Sequence, residues 1–151
     1  MLGYRKFSED LVNALRRGDD VKALAAVCSS VGRQHSEAVL RQWLNAGLPG
    51  TLDKHGLTPL MLCVKLKRKY CVRYLLEDAK VDPNVQSAKQ KTTALILACF
   101  YGLADVVRVI LGAGAIPGLK NKYASGFCEL SSAFLVCTWL WSSVLLVLSC
   151  S

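Results

Sequence analysis

Thr58-Pro59-Leu60-Met61-Leu62-Cys63 returns, thirty-five residues on, as Thr93-Ala94-Leu95-Ile96-Leu97-Ala98. The echo keeps its register downstream, where Val72-Arg73-Tyr74-Leu75-Leu76 falls on Val107-Arg108-Val109-Ile110-Leu111. Self-similarity at such a period marks a stacked array. Each copy has the same physical plan. Its threonine can accept a backbone N–H and so cap a helix N-terminus. Pro59 then takes the first helical position, where its missing donor costs nothing. A short apolar helix follows, Leu60 to about Leu66 and Leu95 to about Tyr101. The chain breaks, at Gly102 in the second copy, and a second short helix carries the Val-x-x-Leu-Leu or Val-x-x-Ile-Leu face. Both copies close on turn residues, Asp82-Pro83-Asn84 and Gly112-Ala113-Gly114-Ala115. Helices this short are marginal alone, so they bury their faces by stacking on neighbours.

The stretch from Asp53 to Lys122 resembles ankyrin repeats, a helix–turn–helix plus β-turn unit of about 33 residues with a T-P-L-H-x-A signature. Gly56-Leu57-Thr58-Pro59-Leu60-Met61-Leu62-Cys63 follows that signature with Met61 in place of the histidine. Lys91 to Cys99 follows it more loosely, without the proline and with Ile96 at the histidine position. The family histidine helps tie neighbouring turns, so the resemblance implies a weaker network here. Val81-Asp82-Pro83-Asn84-Val85 looks like the family's connector, and the first copy carries one or two extra residues near Asp78–Lys80. Upstream, Val39-Leu40-Arg41-Gln42-Trp43-Leu44-Asn45-Ala46-Gly47 resembles Val107 to Gly114. Leu11, Leu15, Val21, Leu24 and Val27 have helix-like spacing, broken at Arg17-Gly18-Asp19. A divergent N-terminal capping unit is expected over residues 1–52, two repeats over 53–123, and an apolar tail over 124–151. The fold class is all-α, a short ankyrin-repeat-like solenoid with an apolar C-terminal helical segment. Leu119-Lys120-Asn121-Lys122-Tyr123 looks like the lead-in to a further repeat, but no T-P-L follows.

At 151 residues the chain is one domain's length, enough to bury a core. Apolar residues are 52% of it and prolines number four, which excludes wholesale disorder and a collagen-like chain. Nineteen basic residues against eleven acidic ones leave a net charge of +8. All of these charges lie before Leu130. Seven cysteines show no C-x-x-C, and Arg5, Lys6, Glu9 and Asp10 stand where the apolar core of a secretory leader would be. A disulfide framework therefore does not fit, and a reducing compartment, cytoplasm or nucleus, is expected. His35 and His55 are the only histidines, and neither has a partner at metal-ligand spacing. No metal and no cofactor are expected.

The tail admits three readings. As a helix, Leu130 to Cys150 would reach ~31 Å, just enough for a hydrocarbon core of ~30 Å, so residues 130–150 could anchor a membrane protein. Trp139 and Trp141 then lie in mid-segment, away from an interfacial belt. The tail could instead fold back over the exposed end of the stack, or be the product of altered splicing or frame.

Catalysis finds no support. Gly112-Ala113-Gly114-Ala115-Ile116-Pro117-Gly118 invites a dinucleotide-loop reading, but the apolar run before it is the second helix of a repeat. A glycine C-cap explains it better. The pairs Glu9-Asp10, Asp19-Asp20 and Glu77-Asp78 stand beside basic residues and read as solvated faces. One charge feature stands out, Lys65, Lys67, Arg68, Lys69 and Arg73. Residues 61–123 hold eleven basic side chains against four acidic ones. Such a field attracts an acidic partner surface or anionic headgroups. Nucleic acid is not expected, for lack of aromatic interleaving or a recognition motif. The resemblance implies a non-catalytic protein-interaction module, an adaptor or scaffold. Its contact residues would be Asp53, Lys54, His55, Gln86, Ser87, Lys89, Gln90 and Lys91 at the turns, with Lys65, Lys67, Arg68 and Lys69 beside them. The same module displayed to the cytosol by a membrane-anchoring tail is the alternative.

Overall fold

The structure, a computed structural model, describes residues 2–18, 21–50 and 52–124. They form α1 (Leu2–Arg17), α2 (Val21–Gln34), α3 (Glu37–Asn45), α4 (Pro59–Lys65), α5 (Lys69–Glu77), α6 (Ala94–Phe100) and α7 (Ala104–Gly112), with no strand among the described residues. The threonines start the inner helices as their positions predict. Thr58 Oγ1 accepts from Met61 N at 3.4 Å and Thr93 Oγ1 from Ile96 N at 3.2 Å. Both threonines are buried, so water has little access to take over these bonds. Ser36 caps α3 in the same way, through Val39 N.

Stacking follows the repeat. Helices α4 and α5 form one hairpin and α6 and α7 the next; α4 lies on α6 and α5 on α7. On the other side α1 lies on α4 and α2 on α5, while α3 touches both α2 and α4. One continuous core results, built on Leu11, Leu15, Leu24, Leu44, Leu60, Val64, Val72, Leu75, Leu95 and Ile110. Each such side chain contributes about 1.5–3 kcal/mol by leaving water. Met61 and Ile96, at the histidine positions of the signature, are 1% and 3% exposed. Apolar packing occupies the place where the family has a polar tie.

The turns repeat down to their backbone signs. The α4–α5 turn passes through Lys67 at φ 58° and the α6–α7 turn through Gly102 at φ 66°, thirty-five residues on. Arg68 N donates to Cys63 O at 2.8 Å, and Leu103 N to Ala98 O at 2.9 Å. The C-caps Asp78 and Ala113 keep that offset. The next left-handed residues, Lys80 (φ 52°) and Gly114 (φ 89°), are thirty-four apart. One additional residue therefore lies between Asp78 and Lys80, as the sequence comparison anticipates.

The upstream helices are tied in by polar and aromatic contacts as well as by the core. Tyr4 Oη donates to Gly47 O at 2.9 Å, and the rings of Tyr4, Phe7 and His35 surround Trp43 at 5.8, 5.5 and 5.2 Å. Helix α1 ends at Arg17 and α2 begins at Val21, either side of the anticipated break, of which Asp19 lies outside the described residues. Among the described residues no helix is long and apolar enough to cross a membrane. The apolar tail, Leu130 onward, lies outside the described residues.

Candidate functional site

Between consecutive hairpins the chain makes a finger-like turn, and the two fingers are built differently from the same need. In the first, Asp53 Oδ2 accepts from His55 N at 3.0 Å and Leu57 N at 2.9 Å, and Gly56 supplies the left-handed residue at φ 65°. In the second, Ser87 Oγ accepts from Thr92 N at 3.1 Å, Ser87 O accepts from Lys91 N at 3.0 Å, and Lys91 takes the left-handed place at φ 54°. Asp53 is 8% exposed and Ser87 fully buried. Expected as partner contacts, both are instead the internal acceptors that hold the turns. The reason is local: a tight turn aims several amides inward, and a short polar side chain satisfies them.

The fingers are also fastened to one another. Lys89 Nζ donates to the Lys54 carbonyl, Gln90 Nε2 lies 3.4 Å from His55 Nδ1, and Ala88 N donates to Gly56 O at 3.4 Å. Gln86 Nε2 donates to Lys91 O at 2.9 Å and Lys120 O at 3.0 Å. Lys122 N reaches Gln90 O at 2.9 Å. Of the predicted turn contacts, Gln86, Lys89 and Gln90 thus have their polar tips turned to neighbouring fingers, while the side chains of Lys54 and Lys91 are exposed.

Fingers and inner helices enclose a groove of about 420 Å³. Ile96, Leu97, Phe100 and Tyr101 of α6 and its C-cap give it an apolar floor, and His55, Lys65, Gln90 and Asn121 line its rim. Lys65 Nζ stands 3.9 Å from Asp53 Oδ1. Long and with its lysine partly in water, that contact orients Lys65 more than it stabilises the fold. Phe100 is 60% exposed. It occupies the register of Lys65 in the preceding repeat, so an aromatic ring replaces a lysine at the groove's edge. That substitution is visible on aligning the copies, although the turn residues draw attention first.

Lys67, Arg68 and Lys69 lie apart from this groove, beyond the C-terminal end of α4. Arg68 has partners within the fold. Its Nε donates to Leu15 O at 3.2 Å and its Nη2 to Arg16 O at 3.5 Å, so the guanidinium caps the end of α1 and is spoken for. Lys69 Nζ rests 5.0 Å over the Tyr70 ring. The twelve predicted contacts therefore divide into a finger-and-groove group, two buried turn acceptors, and a separate group at the far turn.

No three of the histidine, cysteine and carboxylate side chains among the described residues converge as a metal site would need. Gly114, in the supposed dinucleotide loop, is the left-handed residue after α7, and its carbonyl accepts from Asn84 Nδ2 at 3.2 Å. Cys28, Cys63, Cys71 and Cys99 carry thiols. Burial pushes the Cys28 thiol up to about 11, offset in part by its hydrogen bond with Tyr74, which makes it a poor nucleophile.

A family model of ankyrin repeats, in three copies, matches residues 24–121. No curated protein matches the chain.

Proposed function

The chain belongs to the ankyrin-repeat family, whose members are generally protein-interaction modules, and on that premise we propose that it is a non-catalytic adaptor or scaffold holding a partner protein in the groove between its fingers and inner helices. The observation that carries the reading is the groove's composition: an apolar floor with Phe100 at its edge, set among lysines. Lys65 lines it and the exposed side chains of Lys54, Lys89 and Lys91 stand on the adjoining fingers, while Asp53, the carboxylate beside Lys65, is buried. An acidic segment presenting one apolar side chain fits that surface. Charge brings such a segment in, and burial of the apolar side chain holds it. The finger-to-finger bonds keep the surface formed beforehand, which lowers the ordering cost of binding. A cytoplasmic or nuclear setting goes with this proposal, since a reducing compartment keeps cysteines such as Cys28, Cys63, Cys71 and Cys99 as thiols.

The test is selection of displayed peptides on the immobilised full chain. Enriched peptides should be acidic with a single aromatic or aliphatic anchor. Their affinity should fall at least tenfold with Phe100→Asp and with Lys54→Glu plus Lys91→Glu, and weaken as salt rises. Peptides that ignore those variants but are lost with Tyr70→Asp, on the outer helix α5, would refute the reading.

A further inference from the structure

The outer helices α5 and α7 carry a second concavity that shares no residue with the groove. Its origin lies in the repeat, which sets Val72-Arg73 on α5 in the register of Val107-Arg108 on α7. Both valines are buried, and one residue further on is about 100° round the helix, so both arginines point outward into water. Because α5 packs on α7, the two guanidinium side chains come to line one cleft between these helices. Lys69, the first residue of α5, joins them. The cleft holds about 370 Å³, with Val106 and Val109 of α7 as its apolar wall. Tyr70, 53% exposed, also lines it.

Three cations meet one carboxylate in this lining, Lys69, Arg73 and Arg108 against Asp105. The ion pairs already present join neighbours on one helix. Arg73 Nε lies 3.4 Å from Glu77 Oε1, and Arg108 Nη1 lies 4.0 Å from Asp105 Oδ1, with all four side chains more than half exposed. Pairs so open to water are weak, and a stronger anion displaces them. A carboxylate has two oxygens, enough for one guanidinium fork. A phosphate dianion has three acceptor oxygens and twice the charge, so it can be shared between two forks. Two arginines brought to one cleft from different helices therefore suit a phosphate better than a carboxylate. The concave form and the valine wall suit a side chain with an apolar neighbour, where a bilayer would present a flat field of headgroups.

We infer that the α5–α7 cleft binds a phosphorylated side chain of a partner protein. Arg73 and Arg108 fork onto the phosphate, Lys69 adds charge, and an apolar residue of the partner lies against Val106, Val109 and Tyr70. Asp105 works against the ligand, because the phosphate must take Arg108 from it and then bear its negative charge nearby. The cleft thereby reads whether the partner is modified, since the same segment without phosphate brings one hydroxyl and no charge. This site and the groove do not depend on one another: the groove takes carboxylates and an apolar anchor on the inner helices, the cleft a phosphate on the outer ones.

The test is binding of the full chain to arrayed peptides that have a central phosphotyrosine or phosphoserine and mixed flanking residues. The same peptides without phosphate, and with glutamate in its place, stand beside them. Phosphorylated peptides with an apolar neighbour should bind about tenfold more tightly than either counterpart. Arg73→Gln and Arg108→Gln should each weaken them about tenfold while helical circular dichroism stays native, both side chains being exposed. Arg73→Lys and Arg108→Lys should bind more like the glutamine variants than like the native chain, since an ammonium makes no two-pronged contact. Asp105→Asn should tighten binding about twofold, a gain that a purely structural role for Asp105 would not give. Phe100→Asp should leave it unchanged. Genetically displayed peptides carry no phosphate, so selection on the groove and binding at the cleft succeed or fail separately. Equal binding with and without phosphate overturns the inference. So does phosphate-dependent binding that survives Arg73→Gln plus Arg108→Gln. So does arginine-dependent retention on phosphatidylcholine vesicles containing phosphatidylinositol bisphosphate with no phosphopeptide bound, the behaviour of a headgroup site.

Discussion

Three lysines stand where a glycine would be at ease, and replacing them should make the protein more stable. Lys67, Lys80 and Lys91 have φ of 58°, 52° and 54°, while Gly102, Gly114 and Gly56 fill the matching turns of the other copy. A side chain in the left-handed region costs roughly 1–2 kcal/mol. Glycine removes that cost but loses about 0.5–1 kcal/mol more backbone entropy on folding. Each Lys→Gly change should therefore stabilise by about 0.5–1 kcal/mol, and the three together by about 1.5–3 kcal/mol if they act independently. For a chain of this size the melting temperature should rise by roughly 3–12 °C. Lys→Gln at the same three exposed positions removes the same charge without freeing the backbone, so it isolates the backbone effect and should change little. Lys6→Gly, in the interior of α1, should cost about 1 kcal/mol. The assay is thermal and urea unfolding of the full chain followed by helical circular dichroism. Destabilisation by Lys67→Gly and Lys91→Gly of the size seen with Lys6→Gly would refute the reasoning.

Other outcomes follow from the same geometry. Thr58→Ala and Thr93→Ala should each lower stability by about 1 kcal/mol in urea unfolding, since each leaves a helix-start amide without its acceptor. Leu75→Ala, at a fully buried position, should cost about 2–5 kcal/mol. Arg68→Ala should cost about 1–2 kcal/mol and raise amide exchange at the end of α1, where two carbonyls lose their donor; Arg68→Lys should recover little, because an ammonium cannot reproduce the fork. Cys28, raised by burial from an ordinary 9.0 to about 11, should be alkylated about a hundredfold more slowly than an exposed thiol at pH 8, as mapped by mass spectrometry. Its contribution to stability is fully present below pH 9, where neither state ionises. It is lost as pH rises towards about 11, because the unfolded chain releases the proton first.

Much of this architecture could be read from the sequence, and the parts that could not share a cause. Thr58-Pro59 and Thr93, with Val72 to Leu76 and Val107 to Leu111, announce the inner and outer helices because capping and apolar spacing are local. The additional residue at Asp78–Lys80 is legible for the same reason. Arg68 is not, because its partners Leu15 O and Arg16 O lie more than fifty residues away and nothing near Arg68 encodes them. Asp53 and Ser87 read as exposed tips in the sequence, because polar turn residues usually are. Their burial arises from the amides of their own turns, and the spacing of Asp53 to Gly56-Leu57 is the clue that could have shown it. Lys67 hides a backbone sign that Gly102 displays openly. The groove's floor is not legible in the sequence, because Phe100 and Tyr101 read as the end of an apolar helix and only the stacked neighbour turns them into a surface.

Among the described residues these bonds join each finger to the next: Lys89 to the Lys54 carbonyl, Gln86 to the carbonyl of Lys120, Gln90 O to Lys122 N. Such a row has no long tie-rod. Pulled from its two ends, it would give way one link at a time, each release leaving the remaining fingers at their old spacing. A tether on this protein would therefore meet a series of small, similar resistances in place of a single break, and the groove would keep its width until its own link was the one to part.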